Sequence, residues 1–375
     1  MLQLARPSRP SRPWSRPAPD ARPQSRRQLV RPCEIAGATG WQDCAVARRR
    51  ELARADRVLP GLWRLRLPLP WPGVPHGNAY AMAAGDGVVL VDTGLHEPGS
   101  MRQLELAFDQ AGLRVEHVRL VVCTHAHSDH YGQAAPVVER TGAELWMHPN
   151  HEHMTKAAED PQRAFERRFE IARQSGVPAD ALAAYKQARS GEKFGIAEIV
   201  MPDRDLLPGV EVGTDLGHWQ VYETPGHAPS HVVLHQPERG LLLSGDHLLG
   251  RVSLYYDFGH TPDPAGEFLS SLDVVDELDV QLVLAGHGRP VRDARALTEA
   301  NRRAVAERIE RIRRALANGP RTAFEVVPEM LDVELPGPMM IGWGLSEALC
   351  YLGHMELHGE AERVDGEDAE RWQLV

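Results

Sequence analysis

Five times along this chain a short apolar run stops at a glycine-bearing turn that also holds an aspartate or a histidine. Residues 88–91 run into Asp92-Thr93-Gly94, and residues 118–123 into Thr124-His125-Ala126-His127-Ser128-Asp129-His130-Tyr131-Gly132. Residues 218–224 lead to Pro225-Gly226-His227, 241–243 to Ser244-Gly245-Asp246-His247, and 280–284 to Ala285-Gly286-His287-Gly288. Such short apolar runs read as buried strands, and glycine lets the backbone turn tightly at each end. A chain punctuated this way must bring polar side chains together at one edge of a sheet. The second turn is the densest, with His125, His127, Asp129 and His130 inside six positions. Imidazole nitrogen and carboxylate oxygen together form the ligand set of zinc and similar divalent ions. A tight loop can send two of these side chains to one ion and two to a neighbour.

The remaining pattern places these turns in an α+β chain. Trp63, Leu65, Leu67, Leu69 and Trp71 alternate with other residues, the period of a half-buried strand, and Pro68 and Pro70 put that strand at an edge. Residues 78–84 and 87–91 form a hairpin through Gly85-Asp86-Gly87. Helices are predicted over 98–112, 133–141, 264–278 and 296–317, with a strand over 144–148. Short β-type runs follow at 206–212, 218–224, 231–235 and 241–244, and a last buried strand at 280–285. Residues 150–193 are charged and Ala-rich and read as two or three helices, broken at Gly176-Val177-Pro178. Two stretches of strands, each followed by helices, predict two sheets face to face with helices outside.

Both ends differ from this body. Residues 1–57 repeat Arg, Pro and Ser without hydrophobic periodicity, so a disordered tail is expected there. An Arg-rich, acid-poor stretch also fits an organelle-targeting peptide. The tail holds 13 Arg against five acids, a net of +8, leaving the rest at −18 in a chain of net −10. A body this acidic is a poor generic partner for nucleic acid or anionic lipid. No apolar run approaches the ~18–20 residues of a membrane span. The cysteines, Cys33, Cys44, Cys123 and Cys350, are scattered and suggest no disulfide framework, so a cytoplasmic setting is expected. Cys123 reads as packing. After residue 295 come two short helices near 323–330 and 341–352 and a terminal hairpin about Asp365-Gly366. The domains are therefore a tail (1–57), a catalytic body (58–295, with the insertion at about 150–193) and a small C-terminal module (296–375).

The five motifs, in this order, resemble the metallo-β-lactamase fold superfamily at the level of its glyoxalase II-like, two-zinc hydrolases. The resemblance covers roughly residues 58–295 and implies a four-layer αββα sandwich. It implies that His125, His127 and His227 hold one zinc, that Asp129, His130 and His287 hold a second, and that Asp246 bridges the two. Iron or manganese could substitute. Asp92 then accepts a hydrogen bond from a ligand imidazole and orients it. Asp129, Asp246 and Asp92 are the carboxylates on which such catalysis rests. Paired cations lower the pKa of a water toward ~7, which supplies a nucleophile without a side chain. Residues 296–375 resemble the winged-helix appendage of the β-lactamase-like protein 2 group through residues 323–327 and 342–355, and some members of that group cut single-stranded RNA.

Departures within the superfamily narrow the reading. The secreted β-lactamases carry an export signal and often a Cys ligand, and this chain has neither. Flavodiiron proteins carry Glu where this chain has His127. Persulfide dioxygenases lack a full second site. The expectation is thus a hydrolase of a small thioester or ester, an acyl-glutathione or acyl-CoA-like compound. An endoribonuclease or phosphodiesterase with the same metals is the rival. Against it, residues 320–375 carry 12 acids and three Arg. Arg302, Arg303, Arg308, Arg311, Arg313 and Arg314 read as a solvated face paired with Glu299, Glu307 and Glu310. A third class is a metal-bearing regulatory protein whose C-terminal module makes a homodimer. Tyr255, Tyr256 and His260, in the loop before the last motif, are expected to touch substrate. His231 and His247 are expected either to support ligands or to pack. His148, His151 and His153 read as solvated. The insertion is expected to lid the cleft with an apolar face.

Overall fold

The computed structural model describes residues 52–71, 73–189, 194–251, 253–333, 338–364 and 368–375. Strands β1 (Arg54–Leu59), β2 (Leu62–Trp71), β3 (Val74–Ala84) and β4 (Gly87–Val91) form an antiparallel meander. After helix α1 (Ser100–Ala111), β5 (Val118–Val122) pairs parallel to β4. After α2 (Ser128–Tyr131) and α3 (Ala134–Thr141), β6 (Glu144–Met147) pairs parallel to β5. The insertion folds as α4 (Glu152–Glu159), α5 (Pro161–Gln174) and α6 (Ala179–Arg189), and the short β7 (Arg204–Asp205) closes this first sheet.

In the second sheet β8 (Glu211–Thr214), β9 (Gly217–Glu223), β10 (Val232–Gln236) and β11 (Leu241–Gly245) are antiparallel neighbours. Helix α7 (Pro264–Asp276) then carries the chain to β12 (Leu282–Ala285), parallel to β11. Helices α8 (Ala294–Leu316), α9 (Ala323–Leu331) and α10 (Pro338–Leu357) follow, then the hairpin β13 (Ala361–Val364) and β14 (Arg371–Leu374).

Period-two alternation divides the strands' aliphatic residues among three cores. Val89 and Val91 of β4 join Trp219, Leu234, Leu243 and Leu284 between the sheets. Val88 and Leu90 turn the other way, onto Leu104, Ala107 and Phe108 of α1. In the second sheet Val233, Leu242 and Val283 face outward onto Leu272 and Val275 of α7. Helix, sheet, sheet and helix thus make the four expected layers. Buried residues of α8, α9 and α10 join this last core, so the C-terminal end packs on the second sheet through α7. Its three helices and hairpin keep the element order expected from the sequence.

Three expectations need correction. The boundary at 57/58 falls inside β1, whose Asp56 accepts from Arg64 of β2 at 2.5 Å. β1 reads as tail because an edge strand keeps polar residues on its open side. The expected disorder over residues 1–51, with Cys33 and Cys44, lies outside the described residues. β2 is not an edge strand, since β1 covers it from Leu62 to Arg66. Pro68 lies beyond that cover, where a missing N–H costs no ladder bond on that side. The strand expected over 206–212 is a loop through Pro208-Gly209, with pairing only at β7 and β8. The expected Asp365-Gly366 turn lies outside the described residues, although the strands flanking it pair. No described helix is long and apolar enough to cross a membrane.

Candidate metal centre

The topology brings the five turns together. β4 and β5 run parallel, as do β11 and β12, and β9 recovers the direction of β11 through two antiparallel steps. Backbone hydrogen bonds stitch the sheets at this edge, from Val232 N–H to Thr124 O (2.8 Å) and from Asn78 N–H to Gly286 O (2.7 Å). Space there is tight: a Cβ on Gly286 would lie 2.1 Å from Asp246 Oδ1.

Seven side chains converge in two sets, His125 with His127 and His227, and Asp129 with His130, Asp246 and His287. In the first, His127 Nδ1 lies 3.0 Å from His125 Nε2 and 3.0 Å from His227 Nε2. A tetrahedral zinc with nitrogens at about 2.0–2.1 Å needs its ligands about 3.3 Å apart, so these atoms are close to the spacing of a site. In the second, His287 Nε2 lies 3.2 Å from both Asp129 Oδ2 and Asp246 Oδ2. His130 Nε2 and Asp246 Oδ1, 3.4 Å apart, are buried without a hydrogen-bond partner. Such orphaned atoms are costly unless something binds them. Asp246 also reaches the first set, with Oδ2 at 3.8 Å from His227 Nε2. The donor chemistry fits two divalent cations sharing one carboxylate.

Every imidazole is also held from behind. His130 Nδ1 meets Asp92 Oδ2 at 2.8 Å, and His127 Nε2 meets Asp257 Oδ2 at 2.9 Å. His125 Nδ1 meets Thr124 Oγ1 at 3.0 Å, and that hydroxyl in turn donates to Asp92. His227 Nδ1 points at Tyr255 O and His287 Nδ1 at His76 O, each at 3.1 Å. Acceptors at all five outer nitrogens hold a proton on the far side of each ring, so each neutral ring turns a lone pair inward, as metal ligation requires. Asp92 holds its position with a left-handed φ of 61°, strained for a non-glycine residue and offset by bonds to Thr124 and His130. His231 Nε2 accepts the Asp246 N–H at 3.1 Å, fixing the shared carboxylate's backbone.

Charge divides the two sets. Burial and the surrounding imidazoles hold His125 well below the usual histidine range. Burial, with His127 adding to it, takes His227 down to about 4. Both are therefore neutral near pH 7. In the second set burial also pulls His287 down, but Asp246 and Asp129 outweigh it and lift it to about 10. Burial works against ionised Asp246, yet His287 and His130 keep it well below the usual carboxylate range. Two carboxylates thus face two protonated imidazoles, and a cation entering there would displace the protons.

The structure brings together all seven residues expected to bind metal, and places Asp92 behind His130 as anticipated. Asp257 carries a weaker signal in the sequence, aromatic neighbours in a loop and Gly259 two residues on, with no described strand leading into it. His148, His151 and His153 are buried rather than solvated. His148 meets Glu223, and His153 bridges Ser230 Oγ and Asp257, because the second sheet supplies partners the local sequence does not show. Tyr256 does not face substrate: it is fully buried, its hydroxyl 3.2 Å from that of Tyr351. His247 packs edge-on against Phe268, and Cys123 is buried in the core as expected.

Tyr255 and His260, by contrast, line a cavity of about 950 Å³ bounded by α4, α5, α6 and the start of α10, with His153 and Asp257 also on its lining. The face that α5 turns to it is mixed, not purely apolar: Arg163, Arg167 and Arg168 line the space with Ala164, Ile171 and Ala172, while Phe165 and Phe169 pack on the core. From α10, Ser346 Oγ donates to Tyr256 O at 2.7 Å and accepts from Phe258 N–H at 3.2 Å, bracketing Asp257 on both sides.

Comparison with known proteins agrees with this geometry. A profile of the metallo-beta-lactamase superfamily matches residues 72–287. The chain is 30% identical over 281 residues to the probable metallo-hydrolase YqjP of Bacillus subtilis, covering 71% of this chain and 83% of that protein. It is 24% identical over 216 residues to a beta-lactamase-like protein 2 homolog of Caenorhabditis elegans, covering 58% of this chain and 57% of the other. Among solved structures, a metallo-beta-lactamase family protein from Thermus thermophilus superposes with a TM-score of 0.72 at 27% identity, over 85% of this chain and all of the other. A beta-lactamase domain protein from Burkholderia ambifaria gives 0.75 at 29% identity, over 86% of this chain and 94% of that one.

Proposed function

The chain belongs to the metallo-beta-lactamase superfamily and is a metallo-hydrolase of that family, and from that premise we propose that it hydrolyses a small thioester or ester at two zinc ions. Iron or manganese would suit the same donors. One observation carries the reading: the Asp246 carboxylate alone reaches both donor sets. His125, His127 and His227 would hold one ion, Asp129, His130 and His287 the other, with Asp246 between them. Bound there, the two ions would acidify a water and polarise the substrate carbonyl. The protein's own part is orientation. Asp92 and Asp257 keep the protons of His130 and His127 on their outer nitrogens, and His231 keeps Asp246 in place. In the overall reaction water oxygen bonds to the acyl carbon, the C–S bond breaks, and the proton passes to the departing thiolate.

A nucleic-acid substrate finds less support. Helix α8's arginines are largely engaged within the chain: Arg302 pairs with Asp273 and Asp276, Arg303 with Glu299, Arg313 with Glu310 and Glu360, and Arg308 donates to Met330 O. Phosphate tracking along this helix would need its cations free. We place the enzyme in the cytoplasm, where the buried thiols of Cys123 and Cys350 would stay reduced. The test is a parallel panel of thioesters, lactones and single-stranded RNA, with metal analysis, on wild type and His127→Ala. Two ions per chain and thioester turnover that disappears in the variant are expected. RNA cleavage that disappears in the variant instead would overturn the substrate.

A further inference from the structure

The cavity beside the metal centre has two unlike walls. On one side Arg163, Arg167, Arg168 and Ile171 share a face of α5, at the three- and four-residue spacing that aligns side chains on a helix. Among the described residues none of these three arginines has a carboxylate within ion-pair distance. Arg167 gives one N–H to Gly259 O at 3.0 Å, and Arg168 lies 5.1 Å from the centre of the Phe194 ring. The acids around them are mostly engaged. Glu152 binds Lys156 at 2.5 Å, Asp160 caps α5 through Arg163 N–H, and Asp257 holds His127 and His153. Glu159 is the remaining carboxylate on the lining.

The lining that α10 contributes is mostly apolar. Trp343 and Leu349 stand there with Phe258, and Trp343 meets Trp71 at 6.1 Å and Tyr255 at 6.5 Å between ring centres. In a chain of net charge −10, unpaired arginines opposite an aromatic wall mark a place for an amphipathic anion. About 950 Å³ is at the upper end of ligand pockets, roomy enough for an extended molecule.

We infer that this cavity holds the anionic tail of the substrate: a thioester whose thiol portion ends in phosphates or carboxylates, gripped by Arg163 and Arg167, with its spacer against Trp343 and its carbonyl at the metal centre. The inference rests on the hydrolase reading and narrows its substrate. Arginine recognises both kinds of anion through paired N–H groups.

Acetyl-CoA (phosphates) and S-acetylglutathione (carboxylates) are compared with the neutral S-acetyl-N-acetylcysteamine on wild type, Arg163→Gln, Arg167→Gln and Arg163→Lys. Wild type should prefer at least one anionic thioester in kcat/KM, and which one identifies the anion. Each glutamine substitution should remove about tenfold of that preference through KM, the loss expected for one charge-assisted contact. R163K keeps the charge and loses the paired N–H groups, so it should keep part of the preference; unchanged circular dichroism in every variant excludes a folding defect, and Arg303→Glu on the exposed side of α8 should leave the preference unchanged. Equal turnover of charged and neutral thioesters, or a preference untouched by both glutamine substitutions, would overturn the assignment. Calorimetric binding of free CoA and glutathione separates the two levels. Binding weakened in R163Q, with no thioester turned over by wild type, would sink the hydrolase reading and keep the anion site.

Discussion

Asp257→Asn separates charge from shape behind the first donor set. The native carboxylate meets His127 Nε2 and His153 Nδ1 on one oxygen, both at 2.9 Å, and accepts from the Tyr255 hydroxyl on the other at 3.0 Å. An asparagine oxygen can keep both imidazoles while its amide turns to the tyrosine oxygen. The contacts survive and the negative charge goes. Outer carboxylates of this kind change metal affinity by about 10–100-fold, or about 1.4–2.8 kcal/mol. The Asp257 side chain is only 11% exposed, so water screens it little, and the upper half of that range is expected. Of the seven donors the Asp257 carboxylate meets only His127, and the Asp257 N–H goes to His227 O in the same set, so one of two bound ions should weaken by about 30–100-fold while the other stays within about threefold. Zinc titration of metal-free protein against a chromogenic chelator resolves the two steps. Equal weakening of both ions, or none, would refute the idea that Asp257 acts through His127.

Two further perturbations probe other parts of the molecule. Glu347 of α10 is buried beside Arg308 (3.2 Å) and close to Tyr256, Cys350 and Tyr351, and burial lifts its carboxyl from 4.5 to about 7 although Arg308 pulls the other way. A proton there favours the folded state, so its stabilising contribution is complete below about pH 4.5 and is lost as the pH rises through about 7, a span worth about 3 kcal/mol. Urea unfolding of wild type and Glu347→Gln at both ends of that span should show wild type losing this much relative to the variant, and parallel pH profiles would reject it. Gly286→Ala would put a methyl 2.1 Å from Asp246 Oδ1 and 2.7 Å from His130 Cε1. Metal content should drop below two per chain with circular dichroism unchanged, and a fully loaded variant would show that the turn has slack.

What could be read from the sequence was whatever is encoded locally. Each converging side chain, its glycine and the apolar run before it are neighbours in the chain, so the seven clustered residues and Asp92 stand out there. Asp257 does not, because its partner His127 lies 130 positions away and nothing nearby announces the pairing. His153 reads as solvated for the same reason: a polar residue opening a polar helix looks exposed until Ser230 and Asp257 are brought against it. Tyr255 and Tyr256 look alike in sequence, yet adjacent loop residues face opposite ways, one into the cavity and the other into the core. β1 hid because an exposed edge strand has little apolar signal to give.

The bracket that Ser346 makes around Asp257 gives the chain an order of assembly. Every proposed metal donor has left the ribosome once His287 has emerged, yet the clamp on the loop behind His127 waits for α10. A nascent or truncated chain that stops short of α10 holds a complete set of donors with one of its supports unlocked. Helix α10 thereby bears on the first donor set without supplying a donor to it, through the loop that carries Asp257.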